Sequence, residues 1–358
     1  MKTILHITEC LGSGVLNYIK NATKWQVEDY NVVVAYSTRP ETPTNFMEQF
    51  DNRIKFIFVD GFTREIKIKC DIKAFWSIKK IVKEISPDII HLHSTKAGII
   101  GRWAVDCKKY KVLYSPHAYS FLMMNCSNTK RNFYRFIEKI SNKTNCLTIA
   151  DVQGELEASR SVTKNAICSP NGINPVEMDS IIDQAKEYIE EFNKVTICML
   201  GKVVEQKNPY LFNEIAKEFP NIDFIWIGTG PLENELTSKN IKVTGWLDRV
   251  HAIAKILSSD FFLFPSAWES LSIALLEVMY TGKVCIVSDC DGNRDVIINK
   301  KNGYVCSKKE DYINAIKTLL ENPQLSIEYG DAAKNDIVNI YNVNEMEKKY
   351  KSLLKRII

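Results

Sequence analysis

The stretch Phe264–Asn293, FPSAWESLSIALLEVMYTGKVCIVSDCDGN, decides how the rest of the chain is read. It predicts an apolar strand ending at Phe264, a loop carrying Glu269, and a helix capped by Ser270 or Ser272 that runs to about Tyr280. Gly282 then stops the helix before the next strand. A helix start offers unpaired N–H groups and a partial positive charge, which together bind anions. Glu277 falls one to two turns inside this helix, where it can accept hydrogen bonds from a ribose diol. Glu269 lies in the preceding loop, toward whatever the anion carries. Two carboxylates bracketing an anion site suit a sugar nucleotide, which has hydroxyls on both sides of its diphosphate. The same pattern also suits an amphipathic helix with two solvated glutamates.

Outward from this segment the chain repeats strand, helix, strand. Short runs rich in Ile and Val predict buried parallel strands at Thr3–Thr8, Asn31–Tyr36, Ile54–Val59, Asp88–Leu92, Lys111–Ser115 and Cys146–Ile149. Helical patterns such as Ile72–Ile85 and Lys96–Lys109 alternate with them. The rhythm restarts at Val195–Leu200, Asp223–Ile227, Ile241–Thr244, Phe261–Phe264 and Val284–Ser288. Between the halves, Ser169-Pro170-Asn171-Gly172 forms a turn cluster and a polar helix follows at Pro175–Glu191. From about Leu325 the pattern is two helical segments without strands. The expected architecture is α/β, with two facing, doubly wound Rossmann-like domains and a ligand cleft between them. The boundaries read as 1–170, 171–340 and a C-terminal helix, 341–358, able to pack back on the first domain.

A chain of 358 residues, 45% hydrophobic and 25% charged, has the length and composition for two globular domains. The start, MKTILHIT, is too short an apolar run for a signal peptide, and no stretch approaches a membrane span, so a cytoplasmic location is expected. The ten cysteines form no C-x-x-C pair and no zinc-like cluster, and the reading is buried, reduced thiols with no metal site. The net charge of +4 conceals an asymmetry. Residues 1–170 carry 25 Lys and Arg against 16 Asp and Glu, and the remainder carries 22 against 27. Two domains with different partners follow from that split.

Three further places could carry chemistry. Gly201-Lys202 with Lys207-Asn208-Pro209 follows an apolar strand, and both lysines can approach one diphosphate, whose negative charge grows as it departs. They also read as two solvated lysines. Gly12-Ser13-Gly14 follows the first strand but lacks the third glycine of a dinucleotide fingerprint, and no acid ends the second strand. It is either a glycine turn where backbone approaches a ligand or a plain strand-to-helix turn. His117, in Pro116-His117-Ala118, ends another strand. His91 and His93 fall on one face of theirs, where packing or a sugar contact is expected over a metal pair.

With these residues in order, the chain resembles the retaining glycosyltransferases of the GT-B fold, family 4. The match rests on the E-x7-E spacing of Glu269 and Glu277, Gly201-Lys202 with Lys207-Asn208, the N-terminal glycine loop, Ser169-Pro-Asn-Gly-Ile173 and Asn302-Gly303 after Gly292-Asn-Arg-Asp295. The stretch HLHSTKAGIIGRWA…YSPHAYSF resembles the subgroup that builds exopolysaccharide, capsule or O-antigen units. The resemblance implies that Glu277 holds the ribose and Glu269 the donor sugar, that Lys202 and Lys207 hold the diphosphate, and that His117 contacts the sugar. Gly12, Gly14 and the backbone near Ser270, Leu271 and Ser272 would complete the phosphate site. It further implies a nucleotide-diphosphate sugar as donor substrate, no cofactor and no metal, and transfer with retention to a saccharide acceptor. Two departures stand out. Lys202 replaces an Arg able to grip phosphate with two N–H groups, and Ser270 and Ser272 stand where glycines are usual.

The basic, aromatic stretches Arg64–Lys83 and Lys130–Lys143 suit peripheral contact with an anionic membrane, which would make the acceptor lipid-linked. They equally suit helices whose apolar faces pack on the sheet. No nucleic-acid reader motif is present. A UDP-sugar epimerase of the same fold and a non-catalytic sugar-nucleotide-binding subunit are the alternative readings.

Overall fold

The computed structural model describes residues 1–357 other than 41, 64 and 143–145, and not the side chains at 13 and 357. Arg64 and Lys143, the ends of the two basic stretches, therefore lie outside the described residues. The chain divides into two compact units, 1–171 with 346–358, and 172–345.

The first unit holds a seven-stranded parallel sheet. Its strands are β1 (Lys2–Thr8), β2 (Tyr30–Tyr36), β3 (Lys55–Phe58), β4 (Ile89–His93), β5 (Lys111–Ser115), β6 (Leu147–Ala150) and β7 (Ala166–Cys168), in the order β3-β2-β1-β4-β5-β6-β7. The second unit holds six parallel strands: β8 (Thr196–Leu200), β9 (Asp223–Ile227), β10 (Ile241–Val243), β11 (Phe261–Phe264), β12 (Val284–Ser288) and β13 (Tyr304–Cys306), in the order β10-β9-β8-β11-β12-β13. Both are doubly wound sheets whose strand order reverses once, between β1 and β4 and between β8 and β11. In such sheets the crevice outside the carboxyl ends of the reversing strands is where ligands bind.

Burial on both faces explains why these strands read as continuous apolar runs: Ile4, Leu5, Ile7, Ile89, Ile90, Phe262, Leu263 and Ile286 are fully enclosed. The sequence pattern missed β7 and β13, each three residues long at a sheet edge, because so short a run carries no periodic signal. The helix expected over Lys96–Lys109 is Thr95–Ala104, since Val105 turns into the core in extended conformation. The polar helix is Pro175–Ala185, started by Asn174 accepting from the Val176 and Glu177 amides, with a 3-10 turn at Lys186–Tyr188.

The C-terminal helix Val343–Ile357 is amphipathic and inserts Tyr350, Leu353 and Leu354 among Ile4, Ile89 and Leu113 of the first unit. Within the second unit, Ile173 bridges Asn342, and a side chain at Gly172 would strike the Asn342 backbone at 2.5 Å. Glycine is required there because two chain segments run side by side.

In the first unit, Arg102 is fully buried, donating to Glu138 Oε2 at 2.7 Å, to the Gly98 carbonyl at 2.8 Å and to Asn142 Oδ1 at 2.6 Å. The Tyr114 hydroxyl donates to the other Glu138 oxygen at 3.0 Å. A buried ion pair is tolerable when its remaining polar atoms are satisfied in this way.

Candidate active site

In the second unit the switch point brings together segments far apart in the chain. Lys207 follows β8 and Glu269 follows β11, and these strands are paired neighbours. The Lys207 ammonium donates to Glu269 Oε1 at 2.5 Å, lies 4.3 Å from the Phe264 ring centre, and is mostly buried, as is the carboxylate. Gln206 Nε2 donates to Glu269 Oε2 at 3.3 Å and to the Trp268 carbonyl at 3.1 Å. Asn208, in the left-handed region at φ 54°, caps the helix Pro209–Lys217 through the Leu211 amide, which fixes the turn that aims Lys207. Lys202 stands exposed just after Gly201.

Ser272, rather than Ser270, is the cap of the helix Ile273–Tyr280, accepting from the Leu275 amide at 3.4 Å. The Ser270 hydroxyl is buried with no protein partner. The Glu269–Ser270 backbone is pressed by the next loop: the Gly292 amide donates to the Glu269 carbonyl at 3.2 Å, and a methyl at Gly292 would lie 1.6 Å from the Ser270 carbonyl oxygen. Only glycine fits there.

Glu277 is buried, and its Oε1 accepts from Arg249 Nη2 at 2.7 Å, while Nη1 of the same guanidinium reaches Glu177. The sequence reading did not find Arg249. Its only signal was Asp248, the N-cap of the helix Arg249–Ser258, which announces a helix start but no partner for a glutamate 28 residues away.

In the first unit, β1, β4 and β5 end side by side. Ser94, His117 and Ala118 have φ of 71°, 50° and 80°, conformations that non-glycine residues rarely adopt. Such strain persists where surroundings impose it, and it concentrates at functional sites. At Ala118 it is held by Glu155, which accepts from the Ala118 amide at 2.7 Å and from the Asp151 amide at 2.8 Å. Burial, then the neighbouring Asp151, pushes the Glu155 carboxyl up to about 7.

His91 and His93 are buried and pack ring against ring with centres 4.1 Å apart, as expected, and a third ring, His6, joins them; each also hydrogen-bonds to other residues. His6 Nδ1 meets His93 Nε2 at 2.9 Å, and His93 Nδ1 meets His117 Nε2 at 3.1 Å. His117 Nδ1 donates to Asp151 Oδ2 at 2.8 Å. Register explains the gathering, because His6 pairs with His91 across β1 and β4 and period 2 sends His93 to the same face. Burial opposes charge on His117, but the Asp151 carboxylate outweighs it and lifts the ring's pKa above the ordinary value.

His117 also lines a cavity of about 370 Å³ within this unit. Glu9, Asp71 and Lys96 make its polar side, with Lys96 donating to Asp71 at 2.8 Å and Arg39 to Glu9 at 2.6 Å. Ile66, Ile99, Trp103 and Ile137 make an apolar wall. Gly12 and Gly14 lie at the start of the helix Ser13–Asp29. Gly12 at φ −130° is in a conformation open to any residue, and the space beside Gly14 is empty of protein.

Two doubly wound parallel-sheet domains of this kind are the plan of the GT-B transferases. Residues 12–151 match the family profile "Glycosyl transferase 4-like", and residues 181–336 match "Glycosyl transferases group 1". The chain belongs to this family and is a glycosyltransferase. It is 29% identical over 340 residues to the UDP-Gal:alpha-D-GlcNAc-diphosphoundecaprenol alpha-1,3-galactosyltransferase of Escherichia coli, covering 86% of this chain and 85% of that one. It is 25% identical over 313 residues to the N,N'-diacetylbacillosaminyl-diphospho-undecaprenol alpha-1,3-N-acetylgalactosaminyltransferase of Campylobacter jejuni, covering 80% and 82%. Among solved structures, the sucrose-phosphate synthase of Thermosynechococcus elongatus superposes with a TM-score of 0.85 at 15% identity, covering 99% of each chain. HepE from Anabaena, in complex with UDP and glucose, superposes with 0.79 at 15% identity, covering 99% and 100%.

Proposed function

We propose that the second unit binds a nucleotide-diphosphate sugar and that the sugar passes, with retention, to a lipid-linked saccharide bound by the first unit, in the assembly of a surface polysaccharide. The observation that carries this is the Lys207–Glu269 pair beside the start of the helix Ile273–Tyr280, with Glu277 held by Arg249 further along the same helix. The helix amides and Lys207 meet the diphosphate, aided by Lys202 and the unpartnered Ser270 hydroxyl, with the backbone at Leu271 and Ser272 alongside. Glu277 takes the ribose and Glu269 the sugar hydroxyls.

In the transfer step the bond between the anomeric carbon and the β-phosphate oxygen breaks, and the acceptor oxygen bonds the same carbon on the same face. The acceptor proton passes to the departing phosphate oxygen, so no protein nucleophile is required. Lys207 meets the charge developing on the leaving group, the task a metal performs elsewhere, and this reading uses neither metal nor cofactor. His117 is assigned to sugar contact. The open space beside Gly14 supports a close approach of ligand to backbone, and the two-sided cavity of the first unit suits an acceptor with a polar head and an apolar carrier.

The lipid-linked acceptor also rests on the outer face of the first unit. The helix Ile68–Ile85 buries Ala74, Ile78, Ile81 and Val82, yet Ile68, Ile72 and Trp76, spaced four apart, stay exposed. Phe133 and Phe136 stay exposed on the basic helix Asn128–Ser141. Core packing accounts for the first set and not for the second, and exposed aromatics among lysines suit an anionic bilayer surface. No helix among the described residues is long and apolar enough to cross a membrane.

The deciding experiment is thermal stabilisation by a panel of nucleotide sugars and nucleoside diphosphates, for wild type and Glu277→Ala. One base should raise the melting temperature, and the variant should lose most of that shift, because a ligand that binds only the folded state stabilises it. No shift with any member would overturn the donor site. Flotation with anionic vesicles tests the membrane face.

A further inference from the structure

The three buried rings of His6, His91 and His93 lie close enough to hold a metal ion, but each of their nitrogens already has a protein partner. His91 Nδ1 meets the Tyr350 hydroxyl at 2.7 Å and its Nε2 meets Ser115 Oγ at 2.9 Å. His6 Nε2 meets Gln26 Oε1 at 2.8 Å. The cluster is a hydrogen-bond assembly.

One branch runs without a break through Gln26, His6, His93, His117 and Asp151. Its proton positions can be counted. The Gln26 carbonyl only accepts, so His6 Nε2 carries a hydrogen and, as a neutral ring, leaves Nδ1 to accept. His93 Nε2 must then donate to His6, which leaves His93 Nδ1 to accept in its turn. His117 Nε2 must donate to His93, while His117 Nδ1 donates to the Asp151 carboxylate. His117 therefore carries hydrogens on both nitrogens.

We propose that Gln26, His6, His93 and Asp151 are positioning residues that hold His117 as a doubly protonated cation in one fixed orientation on the wall of the first unit's cavity. Because both N–H groups are committed, His117 offers its ligand a fixed positive charge rather than a hydrogen bond. The ring is also fixed by Tyr18, whose ring centre lies 4.7 Å away edge-on, and by the left-handed backbone, which Glu155 holds at Ala118. Among charged groups, Asp151 and Glu155 face His117 from the β6 side, and Glu9, Asp71 and Lys96 share the cavity wall with it. Burial drives His6 down to about 4 and His93 well below the ordinary value, so the charge is excluded from the inner rings and stays at the Asp151 end. If the Gln26 amide donated instead, every hydrogen would shift one place and all three rings would be neutral, with one proton fewer in the branch.

The inference bears on how His117 serves the transfer proposed above, but its test reads protonation without any substrate. Histidine 15N NMR of the full chain at pH 7.5 should show His117 protonated on both ring nitrogens, and His6 and His93 on one each. His117→Asn assigns the signal, and Asp151→Asn should abolish the double protonation. Gln26→Leu removes an acceptor two rings away and should lower the His117 midpoint by about one pH unit, a tenfold change in proton affinity. Gln26→Glu, which keeps an acceptor if the leucine variant fails to fold, should raise it. A singly protonated His117 at pH 7.5, or a midpoint unmoved by both Gln26 variants, would overturn the proposal.

Discussion

Lys207 and Glu269 meet at 2.5 Å across 62 residues of sequence, one from the loop after β8 and one from the loop after β11. The pair neutralises itself in this structure, so in the proposed donor site an arriving diphosphate would compete with a carboxylate for the ammonium. We expect Lys207→Ala to lower kcat by roughly 10²–10³-fold, the range for loss of one group that meets developing charge. Glu269→Gln should keep the fold and lose transfer. Steady-state kinetics with the donor identified by thermal shift would check both, and a Lys207→Ala enzyme of normal kcat would remove Lys207 from the leaving-group site.

Arg249 links Glu277 and Glu177, so Arg249→Met leaves a buried carboxylate without its cation. Removing one partner of a buried pair costs about 3–5 kcal/mol, somewhat less here because the guanidinium is a third exposed. Denaturant melts of Arg249→Met and of Arg249→Met with Glu277→Gln should show the second change restoring part of the loss.

Gly292→Ala places a methyl 1.6 Å from a backbone oxygen. The Glu269–Ser270 loop must retreat, at a cost of about 1–3 kcal/mol typical of overpacking. Nucleotide-induced stabilisation should shrink with it, which calorimetry in the presence of the donor would measure.

The histidine cluster sets a pH dependence. His6, His91 and His93 have folded pKa values below the unfolded value, through burial. Below about 6.5 the unfolded chain takes up protons that the folded one refuses, so their stabilisation is full above pH 6.5 and is lost as pH falls toward 4. Each such group adds a slope of about 1.4 kcal/mol per pH unit at most. Glu155, raised to about 7, and His117, also raised, act oppositely, and each loses its stabilisation as pH rises from the unfolded pKa through the folded one. Melts of the full chain from pH 5 to 8.5 should show a maximum near neutrality, and His6→Asn should flatten the acid limb.

Arg102→Met should cost about 3–5 kcal/mol by stranding Glu138, while Arg102→Met with Glu138→Leu should recover much of it. Urea titration of the three proteins would read the difference.

The sequence alone determined the central strands of the two parallel sheets, the capped helix after β11 and the placing of Glu269, Lys207, His117 and the glycine loop at strand ends. Each of these is local: a strand buried on both faces must be continuously apolar, and a helix start needs a cap. Tertiary structure alone decided which of those residues meet. Nothing in the spacing of Lys207 and Glu269 tells that β8 and β11 are neighbours. Arg249 is an ordinary helix-start residue until the fold sets it against Glu277. His6 lies 85 residues from His91 and carries no motif, yet strand register puts the two side by side. The hydrogen-bond branch it joins exists only because burial removes water from every other partner those rings could have had.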